Sequence, residues 1–252
     1  MIYHSVFNFY LSLDWEGCVT PGVEDWPLED MVVLRKQLAD LRANKILTAF
    51  LNTGRPAPYA EACCQTLGMR EGIVPHIVEN GSVFYIPKTG EWHTNTRITS
   101  GTIRQLKEVE GRLKEYTDTL GIFIELGKAF SCSVRPPAGV LMEDFFQDIY
   151  ALCNTEGIEI THSNSAVDIT ITGVNKGSGM REWCEKTGIG LERVAAIGDS
   201  DGDLPVLRMV KYPLCPSNGS PKVQALVRER GGIVSRYPST FGVIDCIRQL
   251  IA

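Results

Sequence analysis

An apolar run that ends in two closely spaced carboxylates constrains the fold of this chain more than any other feature. Residues 7–13 read FNFYLSL, and Asp14, Glu16 and Gly17 follow them directly. An apolar run of this length is typical of a strand that is buried on both faces, as strands of parallel sheets are. Open parallel sheets bind ligands beyond the carboxyl ends of their strands. The run therefore predicts a central strand that delivers acidic side chains to a binding edge.

Further strand-like runs alternate with helical patterns near both ends of the sequence. Residues 28–42 carry apolar side chains at helical spacing, and Pro56 opens a second helix. ILTAFLNTGR at 46–55 and IVPHIVENG at 73–81 are strand-like, and VAAIGDSDGD at 194–203 is a strand that enters an acidic loop. This alternation predicts the α/β fold class, with a Rossmann-like parallel sheet and helices on both of its faces.

The middle of the sequence has a different pattern, in which hairpins are followed by helices. SVFYIPKTGEWHTNTR has a turn signal at its centre, and amphipathic helices are indicated at 102–118 and 139–153. Such a pattern is typical of a small α+β unit. We expect a core built from residues 1–85 and 168–252, and an inserted α+β cap domain at residues 86–167.

Composition narrows the classes of function. The 252 residues carry a formal net charge of −5 and contain no basic tract, so we expect no nucleic-acid partner. The apolar N-terminal run has no preceding Lys or Arg and is too short to span a bilayer, so we expect neither a signal peptide nor a membrane anchor. Eight cysteines without a Cys-x-x-Cys pair indicate a reducing, cytoplasmic location. Whether the protein is a monomer or a homodimer is left open.

The predicted strand ends collect an unusual set of polar side chains. Asp14 and Glu16 follow the first strand, Thr53 follows the second, and Asp199 follows VAAIG, while Lys176 lies between a strand and a predicted helix. Phosphoryl transfer needs this combination, because a carboxylate that attacks a phosphate dianion must be shielded from its charge. Clustered carboxylates can hold Mg²⁺, and a lysine neutralises further charge on the transferring group. We therefore predict a small phosphorylated metabolite as the substrate.

Four segments together carry a family resemblance. In order, LDWEG, LNTGR, GVNKG and IGDSDGD resemble the four motifs of the haloacid dehalogenase (HAD) superfamily, and VENG at 78–81 resembles the segment before its cap. The branch that the chain resembles is the Cof-like, type IIB branch of sugar-phosphate phosphatases, which has a large α/β cap between the second and third motifs and also includes phosphomannomutases. The resemblance implies a Mg²⁺-dependent hydrolase that acts through an aspartyl-phosphate.

The resemblance also implies roles for individual residues. Asp14 would be the nucleophile and a magnesium ligand, and residue 16 would give its backbone carbonyl to the metal and its side chain to proton transfer. Asp199 would bind the metal directly, and Asp203 would bind it or support the ligands. The residues expected to bind substrate are Thr53, Gly54, Arg55 and Lys176.

One departure from the family pattern concerns Glu16, because the family usually has Asp at that position. The extra methylene displaces the carboxylate by about 1 Å, which can cost ~10²-fold in rate if nothing compensates. Glu16 therefore leaves open a catalytically weakened phosphate-binding protein. The resemblance leaves open a second alternative, a phosphomutase of the phosphomannomutase type.

Several residues keep a plain structural interpretation beside the functional one. Arg55 can pair with substrate or with a carboxylate of the core. Lys128 and Arg135 flank a predicted hairpin, where they either contact an anionic substrate or lie on the surface. Cys18 is a poor candidate for a nucleophile, because no His or Lys lies nearby in sequence to lower its pKa.

Overall fold

The computed structural model describes residues 7–22, 25–163 and 166–252, so residues 1–6 of the predicted core lie outside the described residues. The helices within these ranges are α1 (Leu28–Ala43), α2 (Ala57–Leu67), α3 (Ser100–Leu120), α4 (Met142–Cys153), α5 (Lys176–Thr187), α6 (Leu204–Leu207), α7 (Pro221–Glu229) and α8 (Ser239–Ile251). The strands are β1 (Phe9–Leu13), β2 (Leu47–Leu51), β3 (His76–Val78), β4 (Val83–Ile86), β5 (Glu91–Thr94), β6 (Phe123–Ile124), β7 (Cys132–Arg135), β8 (Ile158–His162), β9 (Val167–Ile171), β10 (Val194–Ile197), β11 (Tyr212–Cys215) and β12 (Ile233–Val234).

A five-stranded parallel sheet forms the larger part of the molecule. Its strand order is β12-β11-β10-β1-β2, and every neighbouring pair is parallel. β1 therefore lies between β2 and β10, with Leu13 opposite both Leu51 and Ile197. The carboxyl ends of these three strands meet at one edge, as the sequence predicts.

Helices cover both faces of this sheet, because side chains along each strand alternate between two apolar clusters. Leu11 and Leu13 of β1 pack in one cluster with side chains of α1, α2 and α8. Tyr10 of β1 packs in the other cluster with Met180 and Trp183 of α5 and with side chains of α6 and α7. The predicted α/β fold class is confirmed. No helix of the described residues is long and apolar enough to cross a membrane.

The chain between α2 and α5 builds two antiparallel sheets. β3, β4 and β5 form a three-stranded sheet, and β6, β7, β9 and β8, in that order, form a four-stranded sheet that we call the insert sheet. α3 and α4 pack on the insert sheet around a separate apolar core, which includes Leu106, Leu113, Phe145 and Ile149. The inserted α+β unit of the fold prediction is therefore present.

Two local details differ from the sequence patterns. The third predicted strand does not extend the parallel sheet: beyond a single bridge between Asn52 and Ile77, β3 pairs with β4 in an antiparallel hairpin. β9 pairs with β7 and β8, so a core boundary at residue 168 falls inside a strand of the insert sheet. Sequence alternation cannot distinguish these pairings, because partner choice depends on tertiary contacts. The proposed domain bounds stay a prediction.

Candidate active site

A buried ion-pair triad lies at the carboxyl edge of the parallel sheet. The ammonium Nζ of Lys176 is 2.8 Å from Asp14 Oδ1 and 2.6 Å from Asp203 Oδ1. All three side chains are almost completely buried. Burial by itself lowers the pKa of Lys176, but the two carboxylates raise it well above its usual value, so the lysine stays charged. Three segments that are distant in sequence thus meet in one charged cluster.

Lys176 is held in place by the start of α5. Asn175 caps this helix by accepting hydrogen bonds from the backbone of Gly177 and Ser178, each at 3.0 Å, and Ser178 completes a capping box. A cation in the first helical turn is unfavourable against the helix dipole. The two carboxylates offset that cost, and a bound anion here would offset it further.

Asp203 uses both of its oxygens to order the loop after β10. While Oδ1 contacts Lys176, Oδ2 accepts hydrogen bonds from the backbone N–H of Asp199 at 3.1 Å and from that of Ser200 at 3.0 Å. The Ser200 hydroxyl donates to the same oxygen at 3.1 Å. Asp203 therefore fixes the position of Asp199 relative to Lys176.

Asp14, Cys18 and Asp199 form a group that can hold a cation, with one ligand atom from each lying within 4.8 Å of the others. Burial and then the charge of Asp203 raise the pKa of Asp14 well above its usual range, which Lys176 opposes only in part. Burial and Asp203 likewise raise the pKa of Asp199 to about 7. Lys176 alone does not supply enough positive charge to balance the two carboxylates. Their hard oxygens suit Mg²⁺. The residues present therefore fit a magnesium ion.

Gly17 allows the loop after β1 to pass close to Asp199. Its φ is +77°, and a Cβ atom added there would lie 2.1 Å from Asp199 Oδ2. The side-chain amide of Asn218 donates to the Gly17 carbonyl at 2.8 Å, which also holds the loop in place. A side chain at position 17 would displace the carboxylate.

The segment after β2 contacts the backbone of Lys176. Thr53 is buried, and its hydroxyl accepts a hydrogen bond from the backbone N–H of Arg55 at 3.2 Å. Asn52 donates through its side-chain amide to the Lys176 carbonyl at 3.4 Å, which ties this segment to α5. Gly54 lies against Asn80, whose Oδ1 would be 3.0 Å from an added Cβ.

Arg55 links Glu16 to the inserted part of the chain. Its Nε forms a salt bridge with Glu16 Oε1, and its Nη1 lies 3.4 Å from Glu125 Oε1. Its guanidinium stacks over the Tyr59 ring at 4.6 Å. The sequence allows Arg55 to pair with substrate or with a carboxylate of the core. In the structure, Arg55 pairs with the carboxylates of Glu16 and Glu125.

Arg55 and Glu125 line a cleft between α2 and the loop after β6. The cleft has a volume of roughly 610 Å³, and its wall includes Trp26, Tyr59, Phe123 and Arg135. Arg135 and Lys128 are both bound to Glu125, at 2.6 Å and 3.0 Å. From sequence, these two cations could either contact substrate or lie on the surface. In the structure they hold a carboxylate beside the cleft.

Three contributors to the site were missed from sequence. Asn218 lies in PSNGSP, which reads as an ordinary turn, and Glu125 lies in a short strand-like run without a motif. Glu79, within VENG, accepts hydrogen bonds from Phe130 N at 2.8 Å and from the Ser131 hydroxyl at 3.3 Å, which holds the loop before β7. The sequence singled out VENG as a segment, and the Asn-Gly pair within it indicates a turn, but neither signal assigned a contact to Glu79.

Comparisons with known proteins agree with this architecture. A family model described as haloacid dehalogenase-like hydrolase matches residues 138–236, which include Lys176, Asp199 and Asp203. The phosphoglycolate phosphatase of Methanothermobacter thermautotrophicus is 24% identical over 242 residues, which cover 96% of this chain and 98% of that protein.

Two solved structures have the same fold over nearly their whole length. Thermoplasma acidophilum 0175 matches with a TM-score of 0.72 at 19% identity, covering 97% of this chain and 98% of its own. The sucrose-phosphatase of Synechocystis sp. PCC6803, solved with sucrose and phosphate, matches with a TM-score of 0.66 at 15% identity, covering 96% and 98%. The shared fold and the family match over residues 138–236 together make the chain similar to the haloacid dehalogenase-like hydrolases.

Proposed function

We propose that this phosphoric monoester hydrolase removes the phosphate group from a small phosphorylated metabolite, a sugar phosphate, through an aspartyl-phosphate on Asp14. The observation that supports this proposal most directly is the buried contact of Lys176 with both Asp14 and Asp203. An ammonium between two carboxylates at a strand edge suits a phosphoryl group that must approach an acidic nucleophile.

In the first half of the proposed reaction, an oxygen of Asp14 forms a bond to phosphorus while the bond from phosphorus to the leaving oxygen breaks. The Glu16 carboxyl group gives its proton to that leaving oxygen. Lys176 and Thr53 hold the transferring oxygens. In the second half, water attacks phosphorus and gives its proton to Glu16, and the bond to Asp14 breaks to release inorganic phosphate.

Asp14 and Asp199, with the backbone carbonyl of residue 16, would hold Mg²⁺, and Asp203 would support them. When bound, the ion supplies positive charge that lowers the repulsion between carboxylate and phosphate. The raised pKa of Asp199, caused by burial and by Asp203, supports a need for such a charge. Cys18 lies in the same group but offers a soft donor that magnesium disfavours.

The surroundings of the site support the rest of the proposal. Residues 86–167 would act as a cap, because the loop after β6 faces α2 across the cleft that contains Arg55. Closure of a cap excludes water until the aspartyl-phosphate has formed. Each of the eight cysteines is free, which supports a cytoplasmic location.

Phosphate release from a metabolite panel tests this function. The panel contains sugar phosphates and phosphoglycolate, and each is assayed with Mg²⁺ and with a chelator. We expect release only with Mg²⁺, and we expect Asp14→Asn to lower kcat by about 10³-fold or more. Asp201→Asn is the matched control, because Asp201 lies in the same loop as Asp199 but pairs at the surface with Lys222.

The same assay separates the alternatives. Undiminished release by Asp14→Asn would exclude the covalent mechanism. Conversion of a sugar phosphate into its isomer without phosphate release would indicate a phosphomutase. Phosphate binding without turnover, with turnover gained in Glu16→Asp, would indicate a weakened phosphate-binding protein.

A further inference from the structure

The carboxylate of Glu16 is held by Arg55. The salt bridge joins Arg55 Nε to Glu16 Oε1, and the two side chains are 17% and 25% exposed. The group of close cation-binding atoms found among the described residues consists of Asp14, Cys18 and Asp199, without the Glu16 side chain. The salt bridge to Arg55 is therefore the contact that restrains this carboxylate.

Arg55 itself is fixed from two sides. Its backbone is anchored at the end of β2 by the hydrogen bond to Thr53, and its guanidinium stacks on Tyr59 of α2. Its Nη1 contacts Glu125, which follows β6 in the insert sheet. A guanidinium suits this place because its planar fork can bind two carboxylates at once, which a single ammonium does less well.

Glu125 is firmly positioned within the inserted unit. Arg135 binds its Oε1 through two nitrogens, at 2.6 Å and 2.9 Å, and Lys128 binds its Oε2 at 3.0 Å. Its backbone N–H donates to the Ser133 carbonyl at 2.8 Å. Burial opposes ionisation, but Lys128 and Arg55 lower the pKa of Glu125 to about 2, so it is a carboxylate at neutral pH. A continuous charged chain thus runs from the insert sheet to Glu16.

We propose that Arg55 is a positioning residue through which Glu125 of the inserted unit aligns Glu16 for proton transfer, an inference that rests on the proposed phosphatase function. Glu16 is one methylene longer than the aspartate usual at this position, so its carboxylate has one more torsion to restrain. Arg55 restrains it while Glu125 is in place. Opening of the inserted unit would withdraw Glu125 and loosen Glu16.

The test compares substrates whose leaving groups differ in their need for a proton. p-Nitrophenolate leaves without protonation, whereas the alkoxides of phosphoglycolate and glucose 6-phosphate need the proton from Glu16. kcat/KM reports the step that transfers phosphate to Asp14. We expect Arg55→Ala to lower kcat/KM for the alkyl phosphates by about 10²-fold and for p-nitrophenyl phosphate by less than about 10-fold.

Two further variants distinguish positioning from a general loss of structure. Glu125→Gln should lower kcat/KM for the alkyl phosphates by about 3- to 10-fold in the native background and cause no further loss beside Arg55→Ala, because it acts through Arg55. Arg55→Lys should recover part of the loss. Arg70→Ala is the control, since Arg70 is an exposed arginine paired with Glu61 and Glu71 on the outer surface.

The outcomes are distinguishable from a failure of the proposed function. An active native enzyme whose Arg55→Ala variant loses the same factor on all three substrates, or whose Arg55 and Glu125 effects multiply, would overturn the positioning role alone. No Mg²⁺-dependent turnover of any of the three substrates by the native enzyme would overturn the proposed function and the positioning role with it.

Discussion

His76 gives the chain a pH-dependent stability that can be calculated from its surroundings. It is fully buried on β3, and its Nδ1 accepts a hydrogen bond from the backbone N–H of Leu51 at 3.0 Å. Cys64 Sγ lies 3.5 Å from the same nitrogen, and burial raises the pKa of that thiol to about 12, so the pair is neutral. Burial lowers the pKa of His76 from 6.5 to about 4.

The sign of the effect follows from proton uptake. As the pH falls below 6.5, the unfolded chain protonates at His76 while the folded chain does not, so the folded state loses stability until the pH reaches about 4. A shift of this size corresponds to about 3 kcal/mol over the whole range. Between pH 7 and pH 5 the loss amounts to about 2 kcal/mol.

Urea unfolding of the native chain and of His76→Asn at several pH values measures this loss. The Asn side chain offers an oxygen to the Leu51 N–H and does not titrate, so it removes the proton linkage while it keeps the acceptor. Carboxylates of the active site titrate in both proteins and cancel in the difference. The free-energy difference between the two proteins should therefore shrink by about 2 kcal/mol from pH 7 to pH 5. A difference that stays constant would refute a buried neutral histidine.

Two further predictions concern backbone geometry and the loop before β7. Gly17→Ala should lower phosphate release by about 10²-fold or more, because the new Cβ displaces Asp199. Gly90→Ala has a similar φ of +73° and nothing within 4 Å, so it should lower stability by only about 1–2 kcal/mol and leave activity intact. Equal activities of the two variants would contradict this. Glu79→Gln should lower the free energy of unfolding in urea by about 1–3 kcal/mol, because the new amide donors face the N–H groups of the loop. Glu71→Gln at the surface should change it by almost nothing. Equal losses would count against the buried contact.

The parallel sheet and the set of residues at its edge could be predicted because their signals are local. The alternating strands and helices identify the sheet class, and buried apolar runs such as FNFYLSL identify its central strand. Ligand binding beyond strand ends then brings Asp14 and Asp199 to one edge without any knowledge of distances. Lys176 follows a strand of the insert sheet and reaches that edge from the start of α5. Their catalytic roles stay predictions.

Other parts could not be predicted because they depend on contacts between distant segments. β3 carries the same apolar pattern as a parallel strand, and only its pairing with β4 distinguishes the two. Glu125 has no motif around it, and its importance arises from its ion pair with Arg55, seventy residues earlier in the chain. Asn218 matters through a hydrogen bond to Gly17, about two hundred residues earlier in the chain. Sequence periodicity carries no information on such pairs.

The central position of β1 has a consequence for synthesis on the ribosome. β1 is made first, but one of its two hydrogen-bonded neighbours is β10, in which Val194 pairs with Tyr10. The inserted unit emerges between them and can complete its own apolar core while β1 still has one open edge. Lys176, Asp199 and Asp203 emerge later still. Asp14 therefore meets Lys176 and Asp199 only after those later residues have left the exit tunnel.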